Sequence, residues 1–139
     1  MSTRRILIVD DDSNVVRILA RTFERSGYAV TTARNGAQAH QTLSSQEPFE
    51  AMICDIQMPQ LTGRELCQKL ATEGPYLPPV VVVVTSRSEA DERDWVREIP
   101  AITLIEKPVG PKQLLRTVRE HLEQTDACDQ AADSERRAA

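Results

Sequence analysis

Five residues with reactive or charged side chains follow short apolar runs of the sequence, namely Asp10, Asp11, Asp55, Thr85 and Lys107. Their separations are 45 positions (Asp10 to Asp55), 30 (Asp55 to Thr85) and 22 (Thr85 to Lys107). Three carboxylates close together repel one another unless a cation joins them, and their hard oxygens suit Mg²⁺. A carboxylate beside Mg²⁺ can attack phosphorus, while an ammonium and a hydroxyl can stabilise the phosphoryl oxygens. This set favours phosphoryl transfer and does not suit acyl or hydride transfer.

The elements that must position these residues alternate between strand and helix patterns. Apolar, largely β-branched runs predict five strands, at Ile6–Val9, Tyr28–Ala33, Ala51–Cys54, Val80–Val84 and Ile102–Ile105. Helical patterns follow each strand, at about 13–26, 36–45, 63–73, 88–99 and 111–123. Five β-α units predict an α/β fold, (βα)5, with a doubly wound five-stranded parallel sheet. Because parallel strands end at one edge of the sheet, the five residues can converge on one crevice there.

Length and composition favour one ordinary globular domain. The chain has 139 residues and a net charge of -4, which gives no attraction to nucleic acid or to an anionic membrane. Its three cysteines lack metal-type spacing and do not suggest disulfides, so we expect a reduced, cytoplasmic protein with no transmembrane segment. We expect small buried side chains at Cys54 and Cys67, and a disordered tail over 125–139.

Four motifs in register make the sequence resemble the receiver domain of two-component response regulators. They are ILIVDD at Ile6–Asp11, D-x-x-M-P-x-x-x-G at Asp55–Gly63, VVVVT at Val81–Thr85 and KP at Lys107-Pro108. Each motif alone is weak, but four at the spacing of the family are strong. The resemblance implies a receiver domain over residues 4–124 and the flavodoxin-like strand order 2-1-3-4-5.

The resemblance also assigns the phosphoryl chemistry to particular residues. Asp55 would be the phosphoacceptor, phosphorylated by a histidine kinase or a histidine phosphotransfer protein. Thr85 would move toward the phosphoryl group, and Lys107 would pair with the acids and then with that group. The surface of helix four, strand five and helix five would then change for an unidentified downstream protein.

The metal of such a site would be Mg²⁺ (or Mn²⁺). By the resemblance, Asp11 and Asp55 would bind it directly, Asp10 mostly through water, and Gln57 through its backbone carbonyl. The family also implies a cis peptide bond at Lys107-Pro108.

Three positions depart from the pattern of the family or tune it. Leu104 occupies the position of the aromatic switch residue, three before the lysine, and a leucine cannot exchange an aromatic ring between exposed and buried positions. Gln57 and Arg87 stand two positions after the acceptor and two after the threonine, where the family tunes the lifetime of the acyl phosphate. Our hypothesis is that this pair sets the lifetime.

Other interpretations of the same residues remain open at this point. Asp12 is more simply a helix cap, and Thr85 or Lys107 alone could be ordinary strand-end residues. His40 and His121 are expected at the surface, and Trp95 is more often a packing residue than a partner contact. Alternative functions are a degenerate receiver that binds partners without phosphorylation, a haloacid-dehalogenase-like aspartyl phosphatase, and a flavodoxin-like FMN protein.

Overall fold

The computed structural model describes residues 4–46, 48–56, 62–85, 90–107 and 110–138, with side chains at all of these except 90–93 and 126–138. Strands and helices alternate along the whole chain. Their bounds are β1 Arg5–Val9, α1 Ser13–Arg25, β2 Ala29–Ala33, α2 Gly36–Ser45, β3 Ala51–Asp55, α3 Gly63–Thr72, β4 Val80–Thr85, α4 Ala90–Arg97, β5 Ile102–Glu106 and α5 Pro111–Ala138.

The five strands form one parallel sheet in the order β2-β1-β3-β4-β5. This order confirms the predicted fold class. The central strand β3 and its neighbour β4 are buried along their entire length, as expected for parallel strands covered by helices on both faces. Register is continuous across the centre, since Cys54 pairs with Val83 and Val83 in turn pairs with Leu104.

Alternation of side chains along each strand divides the core into two layers. One layer, which we call the α1–α5 face, packs sheet residues against α1 and α5; its members include Ile6, Ile8, Ile53, Val82, Val84, Leu19, Phe23, Leu114 and Val118. The other, the α2–α4 face, packs them against α2, α3 and α4; its members include Leu7, Val9, Met52, Cys54, Val81, Val83, Leu43, Leu66, Cys67 and Trp95.

Local sequence signals place α1 directly after the first acidic cluster. Asp12 is the N-cap, and its Oδ1 accepts hydrogen bonds from the backbone N–H groups of Asn14 (2.9 Å) and Val15 (3.4 Å). Gly27 follows the helix at φ 94°, a conformation that favours glycine. Both ends were predicted, and the cap removes Asp12 from the set of residues available for chemistry.

The C-terminal helix differs from its prediction. The sequence predicted a helical end near Glu123 and a disordered tail over 125–139, whereas α5 continues to Ala138. Residues 124–138 contain neither glycine nor proline, and several are alanine, glutamine, glutamate or arginine, which have high helix propensity. The absence of apolar residues at helical spacing in this segment therefore did not prevent helix formation. Within the described ranges, no helix has the combination of length and apolar character that a membrane span requires.

Candidate functional site

Four of the five residues singled out in the sequence end or follow strands at one edge of the sheet. Asp55 and Thr85 are the last residues of β3 and β4, and Asp10 and Lys107 directly follow β1 and β5. Asp10, Asp55 and Thr85 are buried, with 7%, 7% and 2% of their surface exposed. Polar groups are buried at this edge although the four residues before each of these three are apolar, so their positions need a partner or a function.

The lysine and the central aspartate are in direct contact. Lys107 Nζ donates a hydrogen bond to Asp55 Oδ2 at 3.0 Å, which also makes a salt bridge between a half-exposed and a buried side chain. Below this contact, the backbone N–H of Lys107 donates to the carbonyl of Thr85 at 2.6 Å. The end of β5 is thus tied to the end of β4, and this fixes Lys107 beside both Thr85 and Asp55.

Three carboxylates converge next to that ion pair. One oxygen from each of Asp10, Asp11 and Asp55 lies within 4.8 Å of the others. Two of these acids are buried and Asp11 is exposed, so the cluster is open to solvent on one side. Hard oxygen donors at this spacing fit a divalent cation such as Mg²⁺ or Mn²⁺.

Electrostatics of Asp10 reflect this crowding. The pKa of the Asp10 carboxyl is raised from 3.8 to about 6, chiefly because the group is buried and in smaller part because of the negative charge of Asp55. The backbone N–H of Asp12, which donates to Asp10 Oδ1 at 2.9 Å, and the ammonium of Lys107 both act in the opposite direction. Without a cation, this acid therefore holds a proton at a higher pH than an exposed aspartate does.

A glycine that sequence reasoning left without a role keeps the backbone of Asp55 in place. A Cβ at Gly63 would lie 2.6 Å from the carbonyl oxygen of Asp55 and 2.9 Å from the Cα of Ile56. The N–H of Gly63 also donates to the carbonyl of Ile56 at 3.1 Å. Only a residue without a side chain permits α3 to start this close to the end of β3. The available signal was the fixed interval between Asp55 and Gly63 in the second motif.

The start of α3 carries a second local signal that was not used. Thr62 is its N-cap, and its hydroxyl and the carboxylate of Glu65 form a reciprocal capping box. The pattern threonine, two residues, glutamate is readable in the sequence. This cap helps to fix where the chain re-enters a helix after the site.

The residues around the predicted switch lie on the α2–α4 face. Leu104 is half-buried and packs against the cluster that contains Trp95, which is 3% exposed. Thr85 follows Val83 by two residues on β4, so its side chain points to this same face. Trp95 is thus a core residue, as its packing interpretation predicted, and Leu104 packs against the same core layer.

Some predicted features lie outside the described residues or differ in detail. Gln57, Arg87 and the Lys107-Pro108 bond lie outside, so their predicted roles stay predictions. The surface prediction for His40 and His121 is wrong, because both are half-buried. His40 Nε2 lies 3.1 Å from the carbonyl oxygen of Gly74. His121 has Nδ1 2.7 Å from the carbonyl oxygen of Thr117 and Nε2 3.0 Å from Thr103 Oγ1. A carbonyl only accepts, so Nδ1 donates there and α5 is joined to β5 through this ring.

The buried cysteines behave as expected for small apolar side chains. Burial raises the pKa of the Cys67 thiol to about 12 and that of Cys54 well above its usual range. Both thiols stay protonated at neutral pH, and a protonated thiol is a poor nucleophile and metal ligand.

Comparison with known proteins identifies the family of this fold and site. The sequence model of the response regulator receiver domain matches residues 6–119. The chain is 37% identical over 131 residues to the response regulator MprA of Mycobacterium ulcerans, covering 94% of this chain and 55% of that protein. MprA of Mycolicibacterium vanbaalenii is 35% identical over 130 residues with the same coverage. The chain therefore spans about half the length of these relatives.

Solved structures agree with the sequence matches. A CheY-like response regulator receiver domain protein from Methanospirillum hungatei superposes with a TM-score of 0.81 at 28% identity, over 91% of this chain and 98% of that one. The signal receiver domain of a histidine kinase from Syntrophus aciditrophicus gives 0.77 at 29% identity, over 88% and 92%. The phosphatase and flavodoxin alternatives find no support in these matches. The chain belongs to the response regulator receiver domain family and carries the receiver domain of a two-component system.

Proposed function

We propose that Asp55 accepts a phosphoryl group from a histidine kinase or a histidine phosphotransfer protein, in the cytoplasm and in a reaction that needs Mg²⁺ or Mn²⁺. The observation that carries this proposal is the contact of Lys107 Nζ with Asp55 Oδ2 at 3.0 Å, beside carboxylate oxygens within 4.8 Å of one another. A lone acid at a strand end needs one partner, whereas this acid has a cation donor on one side and two further acids on the other.

Each residue would contribute one part of the reaction. A carboxylate oxygen of Asp55 attacks phosphorus, and the bond from phosphorus to the donor atom breaks. The ammonium of Lys107 and the hydroxyl of Thr85 bind phosphoryl oxygens, where negative charge is concentrated in the transition state. Asp10, Asp11, Asp55 and the Gln57 carbonyl would hold the divalent cation, which neutralises charge on the same oxygens when bound.

The product would change the charge balance that Lys107 now satisfies. A phosphoryl group on Asp55 carries more negative charge than the free carboxylate and adds acceptor oxygens. Lys107 and Thr85 would turn to these oxygens, and Thr85 would leave space beside Leu104 on the α2–α4 face. We propose that a downstream protein recognises this displacement at the surface formed by α4, β5 and α5. This domain would contact neither nucleic acid nor a membrane. Transfer to Asp55 and its hydrolysis would be its only catalytic activities.

The experiment that tests this function is intact-protein mass spectrometry after incubation with acetyl phosphate and Mg²⁺. We expect one phosphoryl adduct that is lost in Asp55→Asn and in excess EDTA. Asp12→Asn is the matched control, because it makes the same change at a neighbouring acid that caps α1 and should keep the adduct. If no adduct forms with acetyl phosphate or with any purified histidine kinase, the domain is a binding module and the proposal fails.

A further inference from the structure

A cavity adjoins the proposed phosphorylation site on the α1–α5 face. It has a volume of about 580 Å³ and lies between α1, the start of α5 and the carboxyl ends of β1, β3 and β4. This volume is within the range of about 300–1,000 Å³ that is typical of small-molecule sites. The cavity is therefore large enough for a ligand with more atoms than a phosphoryl group.

The charges of this cavity are concentrated at one end. Its charged lining residues are Asp10, Asp55 and Lys107, which are the residues of the proposed site. The remaining lining residues are apolar, namely Ile8, Val9, Val15, Ile18, Leu19, Ile53, Val84, Pro111 and Leu114. A ligand that matches this lining has a charged group at Asp55 and a hydrocarbon body along α1.

Two lining residues on α1 are unusual for a helix surface. Val15 and Ile18 are 38% and 53% exposed, and they are the large apolar side chains that stay exposed in the described part of the chain. Leu19, one turn from Val15, is buried and lines the same cavity. A hydrocarbon chain that entered from the charged end would cover Val15 and Ile18 and remove apolar surface from water on both sides.

We propose that this cavity receives the leaving group of a small phosphoryl donor, so that the domain prefers acyl phosphates with an apolar acyl chain to acetyl phosphate. This inference rests on the proposed phosphorylation of Asp55. In the reaction, a carboxylate oxygen of Asp55 forms a bond to phosphorus while the bond between phosphorus and the acyl oxygen breaks. The electron pair leaves on that oxygen, the acid departs as its carboxylate, and no proton or redox partner is needed.

A series of unbranched donors tests the preference, with acetyl, propanoyl, butanoyl and hexanoyl phosphate. Added methylenes hardly change the acyl phosphate electronically, so differences in rate report contacts with the protein. Full burial of one methylene strengthens binding by about fourfold. We expect the second-order rate constant of Asp55 phosphorylation, measured by intact mass below saturation, to rise by up to about fourfold per methylene from acetyl to butanoyl.

Substitution of the exposed wall provides the matched control. Val15→Ser should reduce the ratio of the butanoyl to the acetyl rate constant several-fold, because it makes one side of the cavity polar. Val30→Ser introduces the same change on the edge strand β2, at a residue that does not line the cavity, and should keep the ratio of the wild type.

The outcomes separate this inference from the function on which it rests. Adduct formation with all donors at equal rates, or a ratio that Val15→Ser leaves unchanged, would overturn the inference and leave phosphorylation of Asp55 intact. The occupant of the cavity would then be a ligand or partner other than a small phosphoryl donor. Absence of an adduct with every donor and with a kinase would instead refute the proposed function itself.

Discussion

The two faces of the sheet reach the proposed phosphorylation site in different ways. On the α2–α4 face, Trp95 and Leu104 fill the space next to β4 and β5. On the α1–α5 face, the same sheet edge borders a cavity of about 580 Å³ whose outer wall includes exposed Val15 and Ile18. The difference separates two roles, since a packed face can transmit a displacement of Thr85, whereas an open face admits a ligand.

The largest expected effect compares one apolar residue from each face. Trp95→Ala should lower the free energy of unfolding by about 3–5 kcal/mol, because it leaves a large void in a buried layer. Ile18→Ala should change it by no more than about 0.5 kcal/mol, since Ile18 is 53% exposed. Urea denaturation measures both. Similar losses for the two variants would show that the faces are not packed differently.

The next effect concerns the buried charge at the end of the cavity. The pKa of Asp10 is raised to about 6 in the folded protein, so the folded state binds more protons than the unfolded state between about pH 4 and 6. In EDTA, stability should therefore fall as the pH rises through this window, by up to about 3 kcal/mol in total. Thermal unfolding at several pH values measures this loss.

Two changes should remove that pH dependence. Asp10→Asn removes the group that titrates. In the wild type, saturating Mg²⁺ compensates the negative charge of Asp10, so the protein at pH 7 should unfold at a higher temperature with Mg²⁺ than with EDTA. Asp12→Asn, at the exposed cap of α1, serves as the control and should retain both responses. A pH profile that stays unchanged in Asp10→Asn would exclude Asp10 as its source.

A smaller effect is expected where the α2–α4 face meets the backbone of Asp55. Gly63→Ala places a Cβ 2.6 Å from the carbonyl oxygen of Asp55, and relief of this clash should cost about 1–3 kcal/mol of stability and slow phosphorylation. Gly110→Ala is the matched control, because a Cβ there meets no atom within 4 Å. Equal behaviour of the two variants in urea denaturation and in the adduct assay would contradict this account.

The smallest expected effects concern the lifetime of the phosphorylated state. Gln57→Ala and Arg87→Ala should each change the rate of dephosphorylation by a few-fold, because long polar side chains two positions after the acceptor and after the threonine can orient or obstruct water. Decay of the adduct after removal of the donor measures this. Unchanged rates in both variants would refute the hypothesis that they set the lifetime. Either result leaves the comparison of the two faces intact.

Sequence patterns predicted the parts of this fold that local physics controls. The five-valine run can only be a strand buried on both faces, and it is; Asp12 and Gly27 mark the ends of α1 because cap and left-handed conformations restrict residue type. The convergence of Asp10, Asp55 and Lys107 followed from the rule that parallel strands end at one edge.

What could not be predicted depends on contacts between distant segments. The need for glycine at position 63 arises from the approach of α3 to β3, and the bridge from His121 to Thr103 depends on where α5 lies relative to β5. Neither contact leaves a periodic pattern in the sequence. The cavity likewise results from incomplete packing between α1 and α5, and the extent of α5 was wrong because helix propensity acted where no apolar face was present.

The burial of Trp95 also has a spectroscopic consequence. It is the single tryptophan of the chain, so excitation near the red edge of protein absorption reports one position, in the core layer of the α2–α4 face against which Leu104 also packs. A displacement of Leu104 toward space left by Thr85 would change the surroundings of that indole and hence its emission maximum. The unlabelled domain thus carries its own optical probe, with which the response to phosphorylation can be followed in real time.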